Sequence, residues 1–131
     1  MKFSLIIVSH KSVAKAMYES LCSLTHLYVD VNYFCFDEDS DIEKLEKEIS
    51  ELIKYRKSIN EEVVVVSDMK LGTPFNTIIR ICEKYKIYHV TGMNLTLLLN
   101  INNMSPKYDD IKKLINDSIC EAQKDIFEMD K

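Results

Sequence analysis

The chain has 131 residues, 47% of them hydrophobic, and a formal charge of -4 from 17 basic and 21 acidic side chains. That length supports one domain over residues 1–131, burying roughly two thirds of its unfolded surface, and argues against two. Interspersed lysines leave no basic stripe for nucleic acid or an anionic membrane, and the longest apolar runs, Val63 to Val66 and Leu97 to Leu99, fall far short of the ~20 residues that span a bilayer.

The amino terminus runs directly into strand-like sequence, with no separate apolar region and cleavage site, which sets a cytosolic expectation. Cys22, Cys35, Cys82 and Cys120 are widely spaced among apolar residues with no C-x-x-C pair, so buried reduced thiols are expected rather than zinc ligands or a redox pair. His26 and His89 lack metal-ligand spacing to any cysteine or carboxylate and receive no role. Neither a metal nor a cofactor is expected.

The first element is a strand over Phe3-Ser4-Leu5-Ile6-Ile7-Val8, ending at His10. Val13, Ala14, Met17, Leu21 and Leu24 then recur at three- and four-residue steps and predict a helix over about 12–26. Residues 31–36 are rich in strand formers, and the acidic cluster over 37–41 ends them as a solvated loop with a helix cap. Ile42, Leu45, Ile49, Leu52 and Ile53 mark a second amphipathic helix to about Lys57, with Glu and Lys alternating on its outer face.

Glu62-Val63-Val64-Val65-Val66-Ser67 reads as a strand covered on both faces, central in a parallel sheet, with Asp68 directly after it. Phe75, Ile78, Ile79 and Cys82 define a helix from Pro74, with Thr73 as its expected N-cap. A fourth strand covers 87–91 and stops at Gly92, a short helix covers 95–101, and residues 102–106 break it. A last helix spans about 108–124, and the tail over 125–129 alternates apolar and polar. Strands alternating with helices specify an α/β fold, a parallel sheet with helices on both faces.

His10 stands at the carboxyl end of a buried strand, where open α/β sheets place their chemistry. It can serve there as a ligand, a base or a nucleophile. In a sheet of order 2-1-3-4, strands one and three are neighbours and their helices leave on opposite faces, so His10 comes beside Asp68 and the helix terminus at Gly72 and Thr73. A carboxylate on one imidazole nitrogen fixes the tautomer and leaves the other lone pair free, while first-turn amides supply donors for phosphoryl oxygens. No phosphate-binding loop ending Gly-Lys-Ser or Gly-Lys-Thr occurs, so direct use of a nucleotide is not supported. The plainer alternative stays open: His10 as a loop residue, Asp68 as a turn former, and Gly72-Thr73-Pro74 as ordinary capping chemistry.

At Val8-Ser9-His10, at Ser67-Asp68 followed by Gly72-Thr73-Pro74-Phe75-Asn76, and at Thr91-Gly92-Met93-Asn94-Leu95, the chain resembles the mannose-type enzyme IIA components of the bacterial phosphoenolpyruvate-dependent sugar phosphotransferase system. The resemblance covers nearly the whole chain. It implies that His10 is phosphorylated by the histidine-containing phosphocarrier protein and passes the group to a IIB component, with Asp68 as its hydrogen-bonded partner. It also implies that Gly72, Thr73, Phe75 and Asn76 lie around the phosphoryl group, with the Gly92 to Asn94 loop bordering the crevice. The implied fold is a 2-1-3-4 parallel sheet with a fifth, antiparallel edge strand exchanged within a homodimer. The 125–129 tail is the candidate for that strand.

Three positions depart from that pattern: Lys11 and Leu71 stand where the family has glycine, and Thr96 where it commonly has proline. Lys11 and Lys70 can offer positive charge to the phosphoryl group or to a partner. Two other roles fit the resemblance, a phosphoryl donor for dihydroxyacetone kinase and a non-catalytic regulatory domain of the same fold.

Overall fold

The computed structural model describes residues 2–130. Its elements run β1 (Phe3–His10), α1 (Val13–Leu24), β2 (Asp30–Phe36), α2 (Ile42–Ser58), β3 (Glu62–Ser67), α3 (Thr73–Cys82), β4 (Tyr88–Thr91), α4 (Leu95–Met104), a 3-10 turn (Ser105–Lys107) and α5 (Ile111–Gln123). The four strands are all parallel, in the order β2-β1-β3-β4.

Strand β1 is central because its sequence has no polar face to offer solvent. Leu5, Ile6, Ile7 and Val8 are each 0% exposed, and the twofold alternation of a strand divides them between two cores. Leu5 and Ile7 join Val64 and Val66 of β3 under α1, α4 and α5, against Ala14, Leu21, Leu98 and Leu114. Ile6 and Val8 join Val63 and Val65 under α2 and α3, against Ile49, Ile53, Ile78 and Ile81. Each buried aliphatic side chain contributes about 1.5–3 kcal/mol relative to exposure, which is why these two strands set the frame around which loops are placed.

The start of α1 shows how tightly the β1 end is held. Ser12 makes no side-chain cap. The buried Ser9 hydroxyl instead accepts from the Ala14 N–H at 2.6 Å, while Lys11 turns the chain at φ 51° and donates its amide to the Phe36 carbonyl at 2.9 Å. On α2 the expected cap is present: Asp41 accepts from the Lys44 N–H at 3.2 Å, so the acidic cluster is a capped loop.

Several boundaries and burials differ from the sequence reading. Helix α4 continues through Asn102 and Asn103 to Met104, because Asn102 is wholly buried with its amide satisfied. Its oxygen accepts from the Tyr28 N–H at 2.9 Å and its nitrogen donates to the His26 carbonyl at 2.8 Å. Helix α5 begins at Ile111, since Asp110 caps it by accepting from the Lys112 N–H at 2.9 Å.

The expectation of buried thiols is overturned for three cysteines. Cys22, Cys82 and Cys120 are exposed and Cys35 is half-buried, all as free thiols. Each exposed one lies a step off its helix's apolar stripe, Cys22 directly after buried Leu21 and Cys82 directly after buried Ile81. Residues 126–130 form no strand on this chain's own sheet, and Ile126, Phe127 and Met129 are 73%, 66% and 74% exposed. Among the described residues, no helix is long and apolar enough to cross a membrane.

Candidate active site

The register Val8↔Ser67 between β1 and β3 brings His10, the last residue of β1, beside Asp68, the residue just beyond β3. His10 Nδ1 lies 2.9 Å from Asp68 Oδ2, and the same oxygen accepts the backbone N–H of His10 at 2.9 Å. Oδ1 of Asp68 accepts from the Met69 N–H at 3.0 Å. The carboxylate is 14% exposed and the imidazole 42%, so the pair has an anchored inner half and an open outer half. With Nδ1–H donating to the carboxylate, Nε2 carries the lone pair, and a positive charge arising on the ring faces a fixed anion.

The Cε1–Nε2 edge of that ring lies against Gly72. A Cβ at position 72 would stand 2.9 Å from His10 Cε1 and 3.1 Å from Nε2, and φ of 93° there is disfavoured for any other residue. Gly72, rather than Thr73, is the N-cap of α3, and Thr73 and Pro74 are its first two helical residues. The close approach to His10 demands glycine at the cap, which moves Thr73 one step into the helix. The Asn76 N–H donates to the Gly72 carbonyl at 2.9 Å and opens the helical ladder. The amides of Thr73 and Phe75 precede that ladder, and the helix dipole adds about half a positive charge at this end.

The two residues flanking these turns hold unusual backbone. Lys11 and Leu71 have φ of 51° and 69°, the left-handed region, at about 1–2 kcal/mol each for residues bearing a Cβ. At both positions, expected from the resemblance to hold glycine, the chain keeps a positive φ while carrying a side chain.

A cavity of about 390 Å³ opens beside the imidazole, lined by His10, Lys11, Phe36, Asp37, Glu38, Ser40, Ile42 and Thr73. Lys11 Nζ reaches Glu38 Oε1 at 3.4 Å. Of the other residues singled out in the sequence, Lys70 and Asn76 are exposed and outside this lining. Phe75 turns its ring away, with its centroid 4.9 Å from that of His89, and so offers the site its backbone amide. Gly92 is exposed at φ 82°. Asn94 caps α4, accepting from the Leu97 N–H at 2.8 Å, and Met93 N–H donates to the Ser67 carbonyl at 3.2 Å, tying this loop to the end of β3. A hollow of about 420 Å³ at the opposite end of the strands, around Tyr18, Asp30 and Glu61, has no histidine and no helix terminus like that of α3.

Sequence spacing gives His89 no role, and the structure gives it a place. Its Nε2 is hydrogen-bonded to Ser67 Oγ at 2.8 Å, and the Ser67 hydroxyl donates to Thr91 Oγ1 at 3.0 Å, which assigns the proton of the first bond to Nε2. Burial lowers its pKa from 6.5 to about 4, so the ring is neutral at physiological pH. Alternation along β4 puts His89 and Thr91 on one face, but their meeting with Ser67 depends on the sheet register, which single-strand patterning does not contain.

The sequence model of one protein family, described as the PTS system fructose IIA component, matches residues 4–119. No curated protein matches the sequence. Among solved structures, the mannose/sorbose-specific IIA subunit of the phosphotransferase system from Enterococcus faecalis is 20% identical with a TM-score of 0.81, over 100% of this chain and 97% of that one. The phosphotransferase system component EIIA from Streptococcus agalactiae is 20% identical with a TM-score of 0.78, over 96% of each chain. A sigma-54 interaction domain protein from Enterococcus faecalis is 15% identical with a TM-score of 0.70, over 98% of each. At these identities the likeness shows the fold.

Proposed function

The chain belongs to the family of PTS system fructose IIA components, and on that premise we propose that it is a cytosolic phosphocarrier that accepts a phosphoryl group on Nε2 of His10. The histidine-containing phosphocarrier protein is the donor and a IIB component the acceptor in this reading. The observation that carries it is the two-sided hold on one imidazole: Asp68 on Nδ1 at 2.9 Å, Gly72 and the start of α3 against Nε2.

In the transfer, the Nε2 lone pair forms a bond to phosphorus as the bond from phosphorus to the donor's ring nitrogen breaks, its pair returning to that ring. Positive charge moves from the donor ring to His10, where Asp68 already accepts from Nδ1–H. Thr73 and Phe75 amides and the Thr73 hydroxyl are the donors for the equatorial oxygens, a stabilisation that exists before the reaction and costs no reorganisation. The reverse sequence hands the group to the acceptor. A sugar is not bound by this domain.

We also read the chain as a homodimer that exchanges its tail. Strand β4 ends the sheet, and the apolar Ile126, Phe127 and Met129 of the tail stand exposed on the single chain, an arrangement that a neighbouring sheet edge would relieve.

Incubation with phosphoenolpyruvate, enzyme I and the phosphocarrier protein tests the carrier reading: acid-labile phosphate is expected on the wild type and absent from His10→Ala. An unlabelled wild type with a cognate donor would sink it. A second reading, a regulatory domain, has in its support the fold shared with the sigma-54 interaction domain protein. Labelling without onward transfer to any IIB component would favour it.

A further inference from the structure

The cavity beside His10 is acidic on one side. Asp37 and Glu38 line it, and Asp39 borders the adjoining hollow with Lys11. A phosphoryl group on Nε2 brings about -1.5 to -2 of charge toward that rim, and the N-terminus of α3 opposes it with about half a charge. Among the described residues, Lys11 is the one lysine or arginine lining the cavity.

Lys11 follows His10 directly, and its φ of 51° is a conformation that costs any residue with a side chain. Its present partner holds it weakly, since Nζ and Glu38 Oε1 are 3.4 Å apart with the side chains 68% and 87% exposed. A compact ammonium on a flexible four-carbon stem can leave such a partner at little cost.

We propose that Lys11 is the cation that stabilises the phosphoryl group on His10, its ammonium passing from Glu38 to the phosphoryl oxygens when the ring is modified. No bond to Lys11 forms. The proposal rests on phosphoryl acceptance by His10, and it commits Lys11 to the bound group rather than to a partner's surface. A dianion drawing off the ammonium leaves Glu38 solvated, which its exposure already permits.

The test uses phosphoramidate as phosphoryl source, so no donor protein enters. Nε2 bonds to phosphorus as the P–N bond of phosphoramidate breaks and ammonia leaves with its electron pair. The phosphorus resonance absent from His10→Ala is then followed against pH, its midpoint reporting the second ionisation of the bound phosphoryl group. Lys11→Gln, which keeps a Cβ and similar length, is expected to raise that midpoint by about half a pH unit, and Lys11→Arg to restore it. Glu38→Gln is expected to lower it, because a competing anion is gone. These shifts should shrink in molar salt.

A midpoint in Lys11→Gln equal to that of the wild type overturns the proposal, as does a wild type with no His10-dependent resonance. The donor-protein assay separates the two readings. Chemical phosphorylation with the expected Lys11 dependence, but no transfer from the donor protein, defeats the carrier reading and upholds Lys11.

Discussion

Asp68 holds His10 twice with one atom: Oδ2 accepts both the backbone amide and the ring Nδ1–H of His10, each at 2.9 Å. The position of the chain and the tautomer of the ring therefore answer to the same carboxylate oxygen. Substitution Asp68→Asn keeps an acceptor oxygen for the amide but removes the charge that faces the developing imidazolium. The fold should persist and phosphoryl transfer should slow by about 10²-fold, measured as the initial rate of His10 labelling. Unchanged kinetics would remove Asp68 from the mechanism.

Gly72→Ala puts a methyl group 2.9 Å from His10 Cε1 at φ 93°. The backbone cost at φ 93° and ψ 168° is about 1–3 kcal/mol, visible in the urea midpoint, and the displaced ring should lose most of its labelling. Labelling at the wild-type rate would show that Nε2 does not work against α3.

Leu71 is 63% exposed and left-handed, so it gives up little burial on truncation. Leu71→Gly is expected to raise stability by about 0.5–1 kcal/mol, the relieved strain exceeding the added entropy of the unfolded chain. Denaturant unfolding decides it, and a destabilised variant would mean that the Leu71 side chain contributes packing that outweighs its strained backbone.

His89 makes the fold acid-sensitive. Its folded pKa, about 4, lies below the ordinary 6.5, so the unfolded chain binds the extra proton and stability falls as pH drops from about 6.5 to 4. Discounted for partial solvent contact, the effect is about 1–2 kcal/mol. The fall between pH 7 and pH 4 should be smaller by that amount in His89→Val, which also suits a strand. Parallel pH profiles for the two proteins would refute the assignment.

Tail exchange predicts a dimer by light scattering coupled to size exclusion, and a monomer when the chain is truncated before Asp125. A wild type that elutes and scatters as a monomer would defeat it.

The buried strands were readable because their residues say the same thing at every scale: Leu5 to Val8 and Val63 to Val66 are apolar without alternation, which suits strands covered on both faces. His10, Asp68 and Gly72 were readable because they end or follow such strands or open a helix. Asn102 misled because a buried amide with matched partners looks, in sequence, like a helix breaker. The cysteines misled because apolar neighbours in sequence lie on other faces of a helix. His89 escaped because its partners Ser67 and Phe75 come from other elements, and only the sheet register and the lie of α3 bring them to it.

Where a strand residue would pledge its amide to a neighbouring carbonyl, His10 pledges it to the Asp68 side chain. That proton is shielded from solvent exchange for as long as the carboxylate keeps its grip. Its exchange rate and its nitrogen frequency thus form a natural gauge of the His10–Asp68 pair, one that the proposed phosphoryl transfer would move with each loading and discharge of the ring.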